Sequence, residues 1–263
     1  LRMLLALPLF LAAWVYSNYK ERHSPAPSRS DLGLIVVAGL LGYYLASLLD
    51  FMGLQYISAG LERLILFTYP SMVVLISCAI ERRPPPPWQL FCMAISYLGL
   101  ALVYGHETIY FDSNTALGSV LVLLSALSYA CYLLLGQRLL KRLGTIRVTA
   151  MATVVSAAAV LLQVALTRPV QTLLDLPAPV WALSAFNALF CTFLPVFCIM
   201  QAIRMLGAQR VAQTGMIGPV ATLILGFLIL SEPITTWHLA GTALVLAGVA
   251  LLNFVEPSKK KRE

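Results

Sequence analysis

Nine long apolar runs follow one another along this chain, with only short polar segments between them. They cover about residues 3–18, 32–54, 59–80, 88–104, 116–136, 147–167, 179–203, 209–230 and 237–254. A helix needs about 20 mostly apolar residues to cross a bilayer, whereas membrane barrel strands are shorter and alternate apolar with polar residues. Only 11% of the residues are charged, against roughly a quarter in a water-soluble domain. The sequence predicts an all-α polytopic membrane protein with nine transmembrane helices.

The basic residues predict which ends of these helices share a side. Of the 18 Lys and Arg residues, 15 follow the first, third, fifth, seventh or ninth run. They are Lys20, Arg22, Arg29, Arg82, Arg83, Arg138, Lys141, Arg142, Arg147, Arg204, Arg210, Lys259, Lys260, Lys261 and Arg262. Cytoplasmic loops of membrane proteins are rich in Lys and Arg. We therefore expect a cytoplasmic C-terminus, and outer turns at 55–58, 105–115, 168–178 and 231–236.

Residues 58–105 resemble residues 207–254 at a constant shift of 149 positions. The shift superimposes Pro70 on Pro219, Pro84 on Pro233, Trp88 on Trp237 and Gly99 on Gly248. Internal repeats are typical of membrane transporters, whose substrate sites lie where the repeats meet.

The repeat leaves the first half one helix short. The same shift carries 147–167 onto the first run and 179–203 onto the second, whereas 116–136 maps to before residue 1. We predict a four-helix first repeat at 1–105, a five-helix second repeat at 115–255 and a basic cytoplasmic tail at 256–263. The parent fold would have ten helices, of which this sequence lacks the first. An odd number of helices per repeat implies two repeats of opposite orientation in the membrane.

A secretory signal peptide is the alternative interpretation of residues 1–18. Arg2 precedes an apolar segment there, and the small residues Ala12 and Ala13 follow. Bulky Trp14 and Val15 come next, however, and no clean small-x-small cleavage site is present. The partner span at 147–167 also favours a transmembrane helix.

Two segments carry a resemblance to a known family. The segment from Leu54 to Pro70, LQYISAGLERLILFTYP, and its counterpart GAQRVA at 207–212 resemble the fourth-helix region of EamA-type transporters, in the drug/metabolite transporter (DMT) superfamily. The turn Ser231-Glu232-Pro233 leads into Trp237 in the same manner. The resemblance implies two inverted five-helix repeats around a central substrate cavity. It also implies a secondary transporter that moves a small organic metabolite by alternating access, with export favoured.

Polar, aromatic and proline residues inside the runs are the candidates for a substrate path. Pro70, Pro195 and Pro219 each remove a backbone hydrogen bond, which predicts either a hinge or a static kink. The candidate cavity residues are Tyr43, Tyr44, Tyr69, Asn187, Thr192, Gln201, Gln213 and Thr214. Polar groups are costly in lipid, so we expect them to face the helix bundle, where some only cross-link helices. Trp88, Trp181, Trp237 and Tyr104 fall near run ends and are typical of the interfacial aromatic belt.

Three charged residues border one predicted outer turn. Asp50 precedes the turn at 55–58, and Glu62 and Arg63 follow it. They are candidates for a gate or an ion-coupling site, and an Asp50–Arg63 pair is possible. The alternative is interfacial anchoring, with Glu62 favoured by the positive end of its helix dipole.

The sequence lacks common catalytic, nucleotide-binding and metal-binding motifs. It contains no HExxH, GxSxG, Walker or CxxC motif, and its five cysteines lie within predicted spans as apolar filler. We expect no catalytic residues, metal or cofactor, and coupling to a proton gradient or to exchange rather than to ATP. The expected partners are a small-molecule metabolite and the lipid bilayer, with no nucleic acid, in a monomer or homodimer of the bacterial inner membrane. The alternatives are a non-transporting receptor or accessory subunit and, with less support, an intramembrane enzyme.

Overall fold

Helices make up nearly all of the chain that the structure describes. The computed structural model describes residues 1–20, 25–110, 114–167, 176–214, 225, 228 and 235–254, and no strand occurs among them. The elements in chain order are α1 (Arg2–Lys20), α2 (Arg29–Gly39), π1 (Leu40–Leu45), α3 (Ala46–Gly53), α4 (Ala59–Leu66), α5 (Tyr69–Ile80), α6 (Pro87–Tyr110), α7 (Thr115–Leu143), α8 (Thr145–Thr167), α9 (Ala178–Phe186), π2 (Asn187–Phe193), α10 (Leu194–Leu206), α11 (Ala208–Thr214) and α12 (Thr236–Phe254).

Six helical stretches within these described residues are long and apolar enough to cross a membrane. They are Arg29–Gly53, Ala59–Ile80, Pro87–His106, Thr115–Leu143, Thr145–Thr167 and Ala178–Leu206, and Arg2–Ser17 forms a shorter apolar helix. Most of the run at 209–230 and the whole tail at 256–263 lie outside the described residues. The all-α membrane class is therefore confirmed, whereas the count of nine and the inverted repeat stay predictions.

A capping box starts α2, which opens the second apolar run. The Asp31 amide donates a hydrogen bond to Ser28 Oγ at 3.2 Å, and the Ser28 amide donates one to Asp31 Oδ2 at 2.8 Å. These two bonds satisfy backbone donors that the first turn of a helix would otherwise leave open. The helix therefore begins at Arg29, three residues before the predicted boundary.

Replacing Ser28 with alanine is expected to lower the free energy of unfolding by about 1 kcal/mol, since the side-chain cap is lost. Ser30→Ala is the matched control, because it removes a hydroxyl from an exposed site one position inside the same helix, where alanine is the better helix former. Thermal unfolding of the purified protein in detergent measures both. Equal midpoints for the two variants would contradict this role of the cap.

The described chain divides into two compact units that do not follow the two predicted repeats. Unit 1 contains the described parts of Leu1–Leu45 and Cys131–Ala208, and unit 2 those of Ala46–Ala130 and Gln209–Glu263. Each unit thus draws on both halves of the sequence. The repeats describe the sequence, and the units describe which helices pack together.

In unit 1, helices of one sequence half pack against helices of the other half. The helix α1 lies along α8, which is the helix that the shift of 149 positions superimposes on it. The π-helical segment π1 packs against α8, and π2 packs against α1. The same shift carries π1 onto residues 189–194, so it overlaps π2 along most of its length. Both halves therefore leave regular α-helix at matching places.

Polar contacts gather the basic segments at one end of unit 1. Arg142 Nη1 lies 3.1 Å from Asp31 Oδ1, and Arg147 Nη1 donates to the Pro25 carbonyl at 3.1 Å. The amide of Ala208 donates to Gln137 Oε1 at 2.8 Å. These contacts join the segments around residues 25–31, 137–147 and 208. The positive-inside pattern had predicted that these segments share a side of the membrane.

Two helices that the shift makes equivalent also pack together in unit 2. Ser96 of α6 donates a hydrogen bond to the carbonyl of Val245 of α12 at 3.3 Å, and these residues are 149 positions apart. Earlier residues of α6 contact later residues of α12. A methyl group on Gly99 would lie 2.6 Å from the Gly241 carbonyl oxygen, and one on Gly248 would lie 2.5 Å from that of Cys92. The helices are therefore antiparallel.

This α6–α12 contact is also self-complementary. The shift that carries Gly99 onto Gly248 also carries Cys92 onto Gly241, so the contact between Gly99 and Gly241 has a counterpart between Gly248 and Cys92. Matching pairs of this kind are what a two-fold axis produces.

The ends of several helices lie close together in a second region of unit 2. Gly60 packs against the His238 ring, and the rings of His106 and Trp237 lie 5.7 Å apart. Gly118 packs against Tyr56. The flanks of the turns predicted to lie outside, near 55–58, 105–115 and 231–236, are thus neighbours.

Candidate functional site

The apolar run at 59–80 is broken near its middle. The helix α4 ends at Leu66, Phe67 and Thr68 form a turn, and α5 begins at Tyr69. Thr68 Oγ1 donates to the Ile65 carbonyl at 2.7 Å, which satisfies one carbonyl at the break. Pro70, a candidate hinge or kink, closely follows this turn. It lies in the first turn of α5, where its missing N–H costs no helical hydrogen bond.

Tyr69 connects the start of α5 to a helix of the other sequence half. Its hydroxyl donates a hydrogen bond to the carbonyl of Ala212 in α11 at 3.1 Å. The ring of Tyr129 meets the Tyr69 ring edge-on, with centroids 5.2 Å apart. The broken helix of unit 2 therefore carries an aromatic side chain that is fixed at its ring and at its hydroxyl.

The π-helical segments of unit 1 contain four of the eight candidate cavity residues. Tyr43 and Tyr44 lie in π1, and Asn187 and Thr192 lie in π2. Single turns of π-helix inside α-helices are frequent at functional sites. Tyr43 meets the ring of buried Tyr132 edge-on at 5.8 Å.

The two candidates in π2 have different environments. Asn187 is exposed, whereas Thr192 is buried, and its hydroxyl has no hydrogen-bond partner within the described chain. Pro195 lies in the first turn of α10, directly after π2. As at Pro70, the proline closely follows a break in regular α-helix.

The remaining cavity candidates lie elsewhere. Gln201 accepts a hydrogen bond from Thr145 Oγ1 at 2.8 Å, which places it beside the polar end of unit 1 rather than with the π-helical segments. Gln213 and Thr214 belong to the last turn of α11, but their side chains are outside the described part of the chain, as is the whole of Pro219.

Asp50, Glu62 and Arg63 lie together in unit 2. The ion pair that forms is Glu62–Arg63, with Arg63 Nε 3.1 Å from Glu62 Oε2, rather than Asp50–Arg63. The Glu62 side chain is completely buried, whereas that of Arg63 is 45% exposed. A completely buried carboxyl group is unusual for an anchor at the membrane surface, and both interpretations of these three residues stay predictions.

Sequence reasoning missed a cavity of about 370 Å³ in unit 2. It lies among α4, α6 and α7, and its lining includes Ile65, Tyr97, Leu100, Tyr104, Ser119 and Leu123. The Ser119 hydroxyl is buried and has no hydrogen-bond partner among the described residues. Tyr104, interpreted from sequence as an interfacial anchor, lines this cavity. The signal was available, because Tyr97, Ala101 and Tyr104 follow the spacing of one helix face.

Comparison with known proteins decides the family. A model of the EamA-like transporter family matches residues 1–105 and again residues 116–254. The chain belongs to the EamA-like transporter family. The six long apolar helices agree with this membership, and this EamA-like chain is an integral membrane protein of the transporter class.

Similar proteins carry the same general description. This EamA-like chain is 29% identical over 266 residues to the uncharacterized transporter YcbK of Bacillus subtilis, covering 100% of the chain and 84% of YcbK. It is 28% identical over 218 residues to the uncharacterized transporter YyaM of the same organism, covering 81% and 70%. A crystal structure superimposes with a TM-score of 0.70 at 16% identity, covering 96% of this chain and 88% of the other, which shows a shared fold.

Proposed function

We propose that the protein is a secondary transporter that exports a small organic metabolite across the bacterial cytoplasmic membrane by alternating access. The C-terminus would be cytoplasmic. The observation that carries the proposal is the antiparallel, self-complementary packing of α6 and α12, which are equivalent helices of the two sequence halves. Equivalent helices that run in opposite directions are the hallmark of inverted repeats, whose two arrangements open a site to either side of the membrane.

The interruptions of the helices support movement of this kind. The break between α4 and α5, and the segments π1 and π2, divide three of the long apolar stretches. Discontinuous helices in transporters bring backbone polar groups to the substrate site. Tyr43, Tyr44 and Thr192 of unit 1 and Tyr69 of unit 2 lie in or beside these interruptions, so each is a candidate for contact with substrate.

Transport by the purified protein tests this proposal. Liposomes containing the protein and protein-free liposomes are loaded with a bacterial metabolite extract, diluted into extract-free buffer and analysed by mass spectrometry. We expect at least one small organic metabolite to leave the protein-containing liposomes faster, without ATP. Identical contents in both kinds of liposome, with correctly folded protein present, would favour the receptor or accessory-subunit alternative instead.

A further inference from the structure

An unusual group of charged side chains lies where α3 ends and α4 begins in unit 2. Asp50 belongs to the last turn of α3, and Glu62 belongs to the first turn of α4. The turn at 54–58 connects the two helices. The side chain of Glu62 has no exposed surface, although Arg63, the next residue in the chain, is half-exposed.

The oxygen atoms of these two carboxyl groups lack the usual partners. Asp50 Oδ1 and both oxygens of Glu62 are buried, and with both groups ionised none of the three accepts a hydrogen bond from a described residue. The Arg63 guanidinium forms an ion pair with Glu62, with Nε 3.1 Å from Oε2, but it donates no hydrogen bond to the carboxyl group. The Asp50 and Glu62 side chains are within hydrogen-bonding reach of each other. Two carboxyl groups can share a hydrogen bond only when one of them carries a proton, because an ionised carboxylate has no donor.

The charge and the burial of these side chains favour a proton as the ligand. With both carboxyl groups ionised, Asp50, Glu62 and Arg63 together have a net charge of −1. Calcium takes six to eight oxygen ligands, whereas these two carboxyl groups supply four oxygens at most. The ammonium group of an organic substrate would need access to Glu62, whose side chain is completely buried. A proton satisfies the charge without needing space.

We propose that Asp50 and Glu62 hold one proton between them, and that its release opens this end of the transporter. This inference rests on the proposed transport function. On release, the carboxyl O–H bond breaks and the proton passes to water. Two neighbouring carboxylates then repel each other, which separates the end of α3 from the start of α4. The proton thus becomes the coupling ion.

Among the described residues, few other charged or titratable groups lie near the pair. Arg63 is the described cation beside Glu62. From α12, His238 packs against Gly60, and its Nδ1 lies 2.7 Å from the Thr235 hydroxyl. A test of the carboxyl pair therefore needs a readout to which neither Arg63 nor His238 contributes.

Infrared spectroscopy of the full chain in lipid nanodiscs tests the proposal without any substrate. A protonated carboxyl group has its own carbonyl stretching band, which ionised carboxylates and histidine do not produce. We expect this band in the wild-type protein, its disappearance as pH rises, its loss in Glu62→Gln and a shift of it in Asp50→Asn. Glu81→Gln is the matched control, because Glu81 is a half-exposed residue paired with Arg83, and its spectrum should match that of the wild type.

Two results would overturn the proposal. One is a wild-type protein without a protonated-carboxyl band at any pH at which it stays folded, a result that does not depend on any variant. The other is a band that persists unshifted in both folded variants. Because the readout needs no transport, failure of the carboxyl pair and failure of the transporter assignment give different results. A protonated-carboxyl band without metabolite efflux would contradict only the transporter assignment.

Discussion

Replacing Gly248 with alanine is expected to lower the free energy of unfolding by about 1–3 kcal/mol, the usual cost of overpacking. The added methyl group would meet Ser96 Oγ and would lie 2.5 Å from the Cys92 carbonyl oxygen. The carbonyl belongs to the backbone of α6, so relief requires the helices to separate. Gly99→Ala should have a similar effect, since its methyl group would lie 2.6 Å from the Gly241 carbonyl oxygen.

Gly105→Ala is the matched control for both substitutions. It adds the same methyl group to α6 at a position where no atom lies within 4 Å, so helix propensity should make it neutral or slightly stabilising. Thermal unfolding followed by size-exclusion chromatography compares the three variants. If Gly99→Ala and Gly248→Ala unfold at the temperature of Gly105→Ala, close packing of α6 on α12 does not stabilise the protein.

Replacing Pro70 with alanine is expected to reduce metabolite efflux at least about tenfold, which corresponds to ~1.4 kcal/mol in an activation barrier. Alanine restores the backbone N–H at this position, so the Leu66 carbonyl gains a helical donor and α4 can continue into α5 across Phe67 and Thr68. A continuous helix would resist the bending that alternating access requires. Efflux from loaded liposomes measures the loss.

Pro87→Ala controls for the chemistry of this substitution. Pro87 also lies at the start of a helix, but it follows the polar turn before α6 and not a break inside an apolar run. We expect normal efflux from Pro87→Ala and unchanged folding of both variants. Equal efflux from the Pro70 and Pro87 variants would remove the helix break from the mechanism.

The apolar runs predicted the helices well because a chain in lipid must satisfy its backbone hydrogen bonds within each segment. The runs at 59–80 and 147–167 coincide with helical stretches Ala59–Ile80 and Thr145–Thr167 to within two residues. The ends were less predictable. The helix at Thr115–Leu143 extends seven residues beyond the predicted run, because polar residues continue a helix once it has left the apolar region.

The interruptions could not be predicted in detail, because they depend on packing. The sequence LLGYYL of π1 has no composition that separates π-helix from α-helix. Its conformation accompanies a close contact at Gly42, where any side chain would collide with the Tyr132 ring. That contact joins residues 90 positions apart, and no local pattern reveals it.

The candidate site was predicted in part for a related reason. A polar residue inside an apolar run signals membrane depth, but not which neighbour its side chain meets. Gln201 thus belongs to a polar contact with Thr145 at a helix end. The sequence suggested Asp50 as the partner of Arg63, whereas the structure pairs Arg63 with Glu62. Which pair forms depends on how the turn at 54–58 folds.

The matched glycines of α6 and α12 also limit how the two halves of the gene can diverge. Gly99 faces Gly241, and Gly248 faces Cys92, so a larger residue on one helix needs a smaller one on the other. Ser96 and Val245, which the shift of 149 positions superimposes, also face each other in this contact. Substitutions along this seam should therefore accumulate as compensating pairs, while lipid-facing positions of the same helices drift independently.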